Sequence, residues 1–487
     1  IPADRLQKLF DNNTIFKELT INNGFISDNI KREKLSSENM GAVSPTITDK
    51  YKFLTTVYGV SDGHDDKARG RYIGFSHSRV SDSSNLFSLK EYISWTNYLS
   101  KKLKLATIKP AIFERYGSKA DTPNVIEPLN ILIDIEESLR EKIYDVKNSS
   151  VLLEKLIFDI ENWKFNIDVN EKSYEIEVEF DDSKHNYKLK KVGNWHLYII
   201  IDDKKEDLIT YLNKLQNLQI LTKDCKSVYY KGDFYEIGIK EDDNRLLDIL
   251  VEYKTKKGIK KLNEKGKFYK EKKDRLKITK PKWDYNSLFY LVSNYARNLD
   301  FKNKGSQEIS HIIRGLDYLI CTDLQSEIAD FIGLDEQNKS VYFIHCKAST
   351  KKLSASAFQD VCGQIIKNLD YVNPLSSRKP KDINNWDKDW DVDSYCVKTN
   401  RNIVNTRRTS PEKIWKKIKR ISRDQDSNVY VWALLGNMFS MQEYLKEKQS
   451  GVNPKPEIIQ IDYILMSTWA AVQNSNAKFK IYFNEIS

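Results

Sequence analysis

One segment, residues 305–370, constrains the fold more than any other, because its apolar pattern changes period along the chain. GSQEISHIIRGLDYLI begins with helical spacing and runs into a short strand. EIADFIGLD and SVYFIHCKAS follow as strands around the polar turn EQNK, and SASAFQDVCGQIIKNLDYV returns to helical spacing. NVYVWALLG, further along, is typical of a buried strand. The pattern therefore predicts the order helix, three strands, helix, strand.

The remaining chain predicts a multidomain α/β protein. With 487 residues, two to four domains are expected at roughly 100–200 residues each. Strand and helix patterns divide residues 1–110 from 111–255, and we expect an α+β accessory domain in each. A Lys-rich run over 256–284 predicts a linker or exposed arm, which is either simply solvated or in contact with phosphates. Residues 285–487 then form the last domain.

Composition limits the classes of protein. A hydrophobic content of 40% can form real cores, which excludes global disorder. The net charge of +10 fits either a polyanionic partner or an ordinary solvated surface. Five cysteines without a CxxC pair favour a reduced, cytoplasmic location over a disulfide framework or a zinc ribbon. No apolar run of about 18 residues and no signal peptide is present, so we expect no membrane contact. The first residue is Ile, so we expect a piece of a longer protein.

The two strands around EQNK carry an unusual set of charged residues. If EQNK is a four-residue turn, Asp335 faces Ser340 and the register pairs Asp330 with His345. Side chains alternate along a strand, so Asp330, His345 and Lys347 are expected on one face. Unpaired charges are costly to bury. The acid and the lysine therefore form either a structural ion pair or a catalytic site, in which a carboxylate binds a hard cation and the lysine positions water on a phosphate.

These residues resemble the PD-(D/E)xK nuclease superfamily, which has a restriction-endonuclease-like αβββαβ core with a mixed sheet. The resemblance extends over roughly the last 200 residues. Asp330 matches the acid of the second strand, and His345-Cys346-Lys347 matches the E-x-K of the third in position. The resemblance implies an assisting Glu308 on the first helix and a glutamine on the later helix. Periodicity favours Gln359 for that glutamine, and the run GQIIKNL favours Gln364.

The implied activity is metal-dependent endonuclease cleavage of DNA with Mg²⁺ or Mn²⁺, and the implied metal ligands are Asp330, Glu308 and His345. His345 departs from the family pattern, since a glutamate usually stands there. Three outcomes stay open: imidazole binds a softer metal such as Mn²⁺, Glu308 or Glu327 supplies the carboxylate, or the domain binds without catalysis.

The chain also resembles the C-terminal part of bacterial helicase–nuclease proteins of restriction or phage-defence loci. No Walker A pattern and no DEAD-like box is present, so the motor would be lost by truncation or supplied by a helicase or other defence-complex subunit. Arg407, Arg408, Lys351 and Lys352 are candidates for nucleic-acid contact, although a solvated face explains the arginines equally well. A non-catalytic binding or assembly subunit, and a nuclease directed at RNA, are the alternative functions.

Overall fold

The computed structural model describes most of the chain and divides it into two compact units. The described residues are 3–26, 31–43, 45, 47–62, 68–75, 79–83, 88–104, 110–147, 149–153, 155–169, 172–238, 245–259, 261–269, 279–324, 328–448 and 455–484. Unit 1 comprises Ile1–Val43 and Thr48–Ile239, and unit 2 comprises Ser44–Ile47 and Lys240–Ser487.

Unit 1 begins with an antiparallel sheet of five strands in the order β2-β1-β3-β4-β5. Its strands are β1 Ile15–Asn23, β2 Arg32–Ser36, β3 Lys52–Asp62, β4 Ala68–Gly74 and β5 Arg79–Asp82. The helices of this part are α1 Ala3–Gln7 and α2 Leu89–Lys104.

A six-stranded antiparallel sheet, β6-β17-β16-β15-β7-β9, and two three-stranded sheets, β10-β11-β12 and β14-β13-β8, complete unit 1. Their strands are β6 Ser118–Ala120, β7 Pro128–Ile133, β8 Ile143–Asp145, β9 Ile157–Asp159, β10 Lys164–Val169, β11 Lys172–Asp181, β12 Asn186–Lys191, β13 Leu197–Ile201, β14 Lys204–Asp207, β15 Leu218–Thr222, β16 Ser227–Tyr230 and β17 Asp233–Glu236. The helices are α3 Glu137–Arg140 and α4 Leu208–Leu215.

Unit 1 contains two hydrophobic clusters, which explains why the sequence predicts two domains there. One cluster extends from Leu6 to Tyr116, and the other takes Ile26 and Phe53 together with residues from Ile131 to Ile237. The second cluster therefore includes side chains from both predicted domains. The predicted division at 110/111 marks a change of core within one compact unit rather than a boundary between units.

Unit 2 is built on a seven-stranded mixed sheet in the order β18-β26-β25-β21-β20-β19-β24. The strands of the unit are β18 Leu250–Tyr253, β19 Tyr318–Cys321, β20 Phe331–Asp335, β21 Ser340–Ala348, β22 Asp389–Val392, β23 Val397–Asn400, β24 Asn402–Asn405, β25 Asn428–Gly436 and β26 Lys478–Asn484. The helices are α5 Leu288–Ser293, α6 Lys304–Gly315, α7 Ala355–Lys367, α8 Leu369–Val372, α9 Pro411–Ser422, α10 Met441–Lys448 and α11 Pro456–Asn474.

The sheet of unit 2 has a parallel half and an antiparallel half. β18, β26, β25 and β21 are parallel, whereas β20, β19 and β24 continue the sheet antiparallel. The chain order α6, β19, β20, β21, α7, β25 agrees with the order that the sequence predicts, with β22–β24 and two helices inserted before β25. The mixed α/β class is thereby confirmed.

Alternation along β21 separates the two faces of this sheet. Ile344 and Cys346 belong to a hydrophobic cluster with Leu288 and Phe289 of α5. Because successive side chains point to opposite faces, His345 lies on the other side, where α7 contacts β21 and β25. The helices begin where the sequence has capping residues: the side chain of Asn303 accepts from the Ser306 amide at the start of α6.

The described part of 256–284, which the sequence predicts as a linker or exposed arm, contributes side chains to the core of unit 2. β18 pairs in parallel with β26, so this strand belongs to the sheet of unit 2. Leu262 is 2% exposed and Trp283 is 3% exposed, and both belong to the hydrophobic core of that unit. The composition of this segment is that of a solvated arm, but a few apolar side chains anchor its described part to the core of unit 2.

Two expectations from composition can be compared with the structure. All five cysteines are free thiols. Within the described ranges, no helix has both the length and the apolar character that crossing a membrane requires.

Candidate functional site

The β20–β21 hairpin has the register that the sequence predicts. Asp335 pairs with Ser340, and the pairing continues to Phe331 opposite Ile344. The Asp330 amide then donates to the Ile344 carbonyl at 3.0 Å, which continues the register one residue before the start of β20. Asp330 thus lies beside the last residues of β21, as predicted.

The Asp330 carboxylate lies against the backbone of β21. Its Oδ2 accepts from the Cys346 amide at 2.7 Å, and the residue is 5% exposed. Burial, followed by the charges of Asp330 and Glu264, raises the pKa of the Cys346 thiol well above its usual value. Two carboxylates are therefore close to the same point of β21, and Cys346 is an inert core residue.

Lys347 and His345 have different surroundings. The Lys347 side chain is 25% exposed, and its Nζ lies 3.5 Å from the Asp360 carboxylate of α7. His345 is 3% exposed. Burial, together with the charge of Lys367, lowers the pKa of His345 to about 3, so the imidazole is neutral at physiological pH. Among the described residues, the carboxylate at ion-pair distance from Lys347 is that of Asp360.

Two further residues reach this end of the hairpin from the segment predicted as a linker. Burial raises the pKa of Glu264 above its usual value, against the opposing charges of Lys265 and Lys347 and a hydrogen bond from the Ala348 amide. Lys265 Nζ lies 2.9 Å from Asp323 Oδ2. Burial alone would lower the pKa of Lys265, but the charge and hydrogen bond of Asp323 and the charge of Asp330 raise it.

We call Glu264, Lys265, Asp323, Asp330 and Lys347 the strand-end cluster. Of these five residues, the sequence analysis singles out Asp330 and Lys347. The Asp323 side chain is 12% exposed and also accepts from the Trp390 indole at 2.8 Å. Glu264 and Lys265 were missed. The local signals for them are apolar residues in a lysine-rich run, such as Leu262 and Trp283.

Glu308 is not part of the strand-end cluster. Its Oε1 accepts from Lys480 Nζ at 2.5 Å and from the Tyr482 hydroxyl at 2.8 Å. Both partners lie on β26, which β25 separates from β21, a distance of two strand spacings or about 10 Å. The helix carboxylate expected at the site is thus held over a different strand.

The two candidate glutamines lie on α7 with different exposure: Gln359 is exposed and Gln364 is half-buried. Both are on the helix that carries Asp360, the partner of Lys347. Glu327, the other alternative carboxylate, lies outside the described residues.

The predicted basic residues lie at opposite ends of the hairpin. Arg407 is 3.6 Å from Glu336, in the turn between β20 and β21, and Arg408 is exposed beside it. Lys347 is seven residues along β21 from Ser340, or about 23 Å away. Lys351 and Lys352, in contrast, follow β21 directly and are both exposed, with Lys352 Nζ 2.9 Å from Glu443.

The potential for metal binding depends on few donors. Among the described residues, no group of three or more His, Cys, Asp and Glu side chains is arranged to hold a metal ion. The strand-end cluster offers the carboxylates of Asp330 and Glu264. Mg²⁺ commonly binds through one or two protein carboxylates and completes its shell with waters and substrate phosphates.

No protein-family model, no curated protein and no solved structure matches this chain. The fold of unit 2 and the strand-end cluster therefore carry the functional conclusion by themselves.

Proposed function

We propose that unit 2 is a metal-dependent endonuclease that hydrolyses DNA phosphodiester bonds, on a restriction-endonuclease-like αβββαβ core. One observation supports this above all. Two carboxylates, the buried Asp330 and the half-buried Glu264, lie close to a partly exposed lysine, Lys347, where β20 begins and β21 ends.

The donors fit a hard divalent cation such as Mg²⁺ or Mn²⁺. Glu264 is a half-buried carboxyl whose pKa is raised by desolvation despite two neighbouring lysines, so a cation beside it would relieve an existing energetic cost. We assign Asp330 and Glu264 as the residues that would hold the cation. When bound, it would supply a water of lowered pKa and neutralise charge on the phosphate.

Other residues of the chain have positional roles. Lys347 orients the attacking water or the phosphate, and its contact with exposed Asp360 is a pairing that an incoming phosphate can replace. Lys265 holds Asp323 and offsets the negative charge of the cluster. His345 is a neutral, buried packing residue rather than a general base, since its pKa is about 3. Gln364 or Gln359 would contact substrate from α7.

A second candidate function has its own support. His345 stands where a carboxylate would complete the site, and the described residues contain no three-donor group. Both observations favour a subunit that binds nucleic acid in a defence complex without cutting it. RNA rather than DNA as the substrate is the third possibility.

Cleavage assays on the purified chain separate these functions. Supercoiled plasmid DNA and a matched RNA are incubated with Mg²⁺ or Mn²⁺. We expect DNA nicking that falls by about 100-fold or more in Lys347→Ala, Asp330→Asn and Glu264→Gln, because each removes charge stabilisation at the reacting phosphate. Asp330→Asn keeps an acceptor for the Cys346 amide, so the fold is preserved.

Matched controls define the alternatives. Lys416→Ala removes an exposed lysine of α9, and we expect it to cut like wild type. His345→Gln is expected to keep at least a tenth of the activity. Equal cleavage by all variants would remove the strand-end cluster from consideration. Salt-dependent binding without cleavage in either metal would establish the binding subunit, and cleavage of RNA alone would reassign the substrate.

The biological setting follows from the same proposal. A DNA endonuclease suits restriction or phage defence, with a helicase or other defence-complex subunit as partner. Co-expression with the product of an adjacent helicase gene, followed by co-purification, tests this partner class.

A further inference from the structure

A lysine-rich cleft lies at the carboxyl edge of the parallel strands of unit 2. It has a volume of about 890 Å³, and its lining includes residues from the ends of β18 and β26 and from the segments after β25 and β21. Since β18, β26, β25 and β21 are parallel, their carboxyl ends share one edge of the sheet. The crevice beyond such an edge is where ligands of open α/β sheets commonly bind.

The charge of the cleft is strongly positive. Five lysines line it against two glutamates; the lysines are Lys254, Lys256, Lys257, Lys261 and Lys352. Lys254 has Glu252 at 3.4 Å and Lys352 has Glu443 at 2.9 Å. Lys256, Lys257 and Lys261 are exposed and lie in no ion pair with a described residue. Three ammonium groups are thus available to an anion.

These lysines stand on an anchored turn. The Lys256 amide donates to Asn298 and the Asp300 amide donates to Lys254, so the base of the turn is tied to the segment before α6. Gly258 has a φ of 104°, a conformation that glycine adopts without strain. The Ile259 amide closes the turn on Lys256. The lysines are therefore presented from a defined backbone rather than from a free arm.

The cleft continues in one direction and adjoins the strand-end cluster in another. A neighbouring cleft of about 740 Å³ shares Lys352 and Glu443, and its lining adds three lysines and two glutamates: Lys351, Lys446, Lys455, Glu447 and Glu457. Lys455 pairs with Glu447 at 2.7 Å, so the added basic groups that lie outside this pair are Lys351 and Lys446. Toward the cluster, Lys261 is three residues before Glu264, which limits their Cα separation to roughly 10 Å. Measured along B-form DNA, that is about three nucleotides of rise.

We propose that this cleft holds the sugar–phosphate backbone of duplex DNA within a few nucleotides of the strand-end cluster. Its lining contains no aromatic side chain among the described residues, whereas sites for single strands stack bases on aromatic rings. Lysines act as point charges toward phosphates, and phosphate contacts carry no direct sequence information. Binding is therefore independent of sequence and strongly dependent on salt. The positive charge of the cleft by itself predicts that a polyanion binds there. That this polyanion is the DNA substrate of the enzyme rests on the proposed function.

Equilibrium binding without catalysis tests the cleft directly. Fluorescence anisotropy of a labelled 30-base-pair duplex is measured in EDTA from 50 to 300 mM salt, with the full chain. The triple variant Lys256→Gln, Lys257→Gln, Lys261→Gln is compared with wild type. We expect affinity at low salt to fall roughly tenfold or more, and the slope of log K against log salt to become shallower by up to about 2.7, or 0.9 per lost phosphate contact.

A charge-matched control removes the same number of lysines elsewhere. Lys379, Lys381 and Lys388 are exposed in the segment between α8 and β22, and their triple Gln variant should bind as wild type does. Thermal melting of both variants should match wild type, since all six side chains are exposed. Equal losses in the two triple variants would reduce the effect to net charge and overturn the proposal.

The outcomes are separable from those of the proposed function. If wild type cuts DNA but the cleft variant binds as tightly as the control, the cleft assignment fails and the nuclease assignment stands. If the cleft variant alone loses binding while wild type never cuts, the cleft assignment stands and the nuclease assignment fails. Tighter binding of the single-stranded oligonucleotide or of duplex RNA overturns the duplex DNA assignment.

Discussion

The two ends of the β20–β21 hairpin are electrostatic opposites. At the turn, Lys417 Nζ lies 2.7 Å from Glu336 Oε1 and Arg407 lies 3.6 Å away. Burial would raise the pKa of Glu336, but the hydrogen bond and charge of Lys417 and the charge of Arg407 lower it. At the other end, burial dominates over Lys265 and Lys347 and raises the pKa of Glu264.

The difference separates a carboxylate that stabilises the fold from one whose negative charge the fold leaves partly uncompensated. Glu336 has more positive charge around it than its burial requires, so its ionised form stabilises the folded state. Glu264 has less, so its ionised form costs stability unless a further cation arrives. Perturbed acids of the second kind concentrate at functional sites.

Activity should respond to these two glutamates very differently. We expect Glu264→Gln to lower DNA cleavage by about 100-fold, because a carboxylate that holds the cation is lost, and Glu336→Gln to change it less than about twofold. Both substitutions keep the side-chain size. Initial rates of plasmid nicking under saturating Mg²⁺ measure the contrast, and a similar loss in both variants would mean that the two ends act together.

Stability should depend on pH with opposite sign at the two residues. The folded-state pKa of Glu264 lies above its unfolded value of about 4.3, so stability is lost as pH rises through the folded pKa. Glu264→Gln should therefore become more stable relative to wild type as pH rises from 4 to 8. The folded-state pKa of Glu336 is lowered, so its contribution is present above the unfolded pKa and is lost as pH falls. Glu336→Gln should be less stable at pH 7 by about 1 kcal/mol and approach wild type near pH 3.

Urea denaturation across this pH range measures how the free energy of unfolding of each variant, relative to wild type, changes with pH. Repeating it with Mg²⁺ adds a check that is independent of activity. A cation bound to the folded state stabilises it by mass action, so Mg²⁺ should abolish the advantage of Glu264→Gln and leave Glu336→Gln unaffected. Slopes of the same sign, or no effect of Mg²⁺ on wild type, would contradict the assignment of Glu264.

The smallest effect is expected from the arginines at the turn. Arg407→Ala with Arg408→Ala should change duplex binding less than about twofold, because the turn lies about 23 Å from Lys347 along β21. Anisotropy at 50 mM salt gives the affinity of this variant relative to wild type. The Lys256, Lys257, Lys261 variant is measured in parallel. A loss as large as that of the lysine variant would place the DNA along the whole hairpin.

Much of unit 2 follows from local sequence. The periods of 305–370 and the turn EQNK predict the helices, the strands and the pairing of Asp335 with Ser340, because strand alternation and turn length leave one register that buries the apolar face. The positions of Asp330 and Lys347 along the hairpin can be predicted for the same reason, because the short turn between β20 and β21 sets their register.

The partners of these residues were decided only by the tertiary structure. Glu264 and Lys265 belong to a lysine-rich segment that Leu262 and Trp283 anchor to the core. The average composition of a segment does not reveal single contacts of this kind, so it predicts a linker instead. Glu308 is held by Lys480 and Tyr482, residues more than 170 positions away in the chain. The sequence alone determined which side chains share a strand. Which distant charges meet them depends on long-range packing, and burial then decides whether an acid is paired or left in need of a cation.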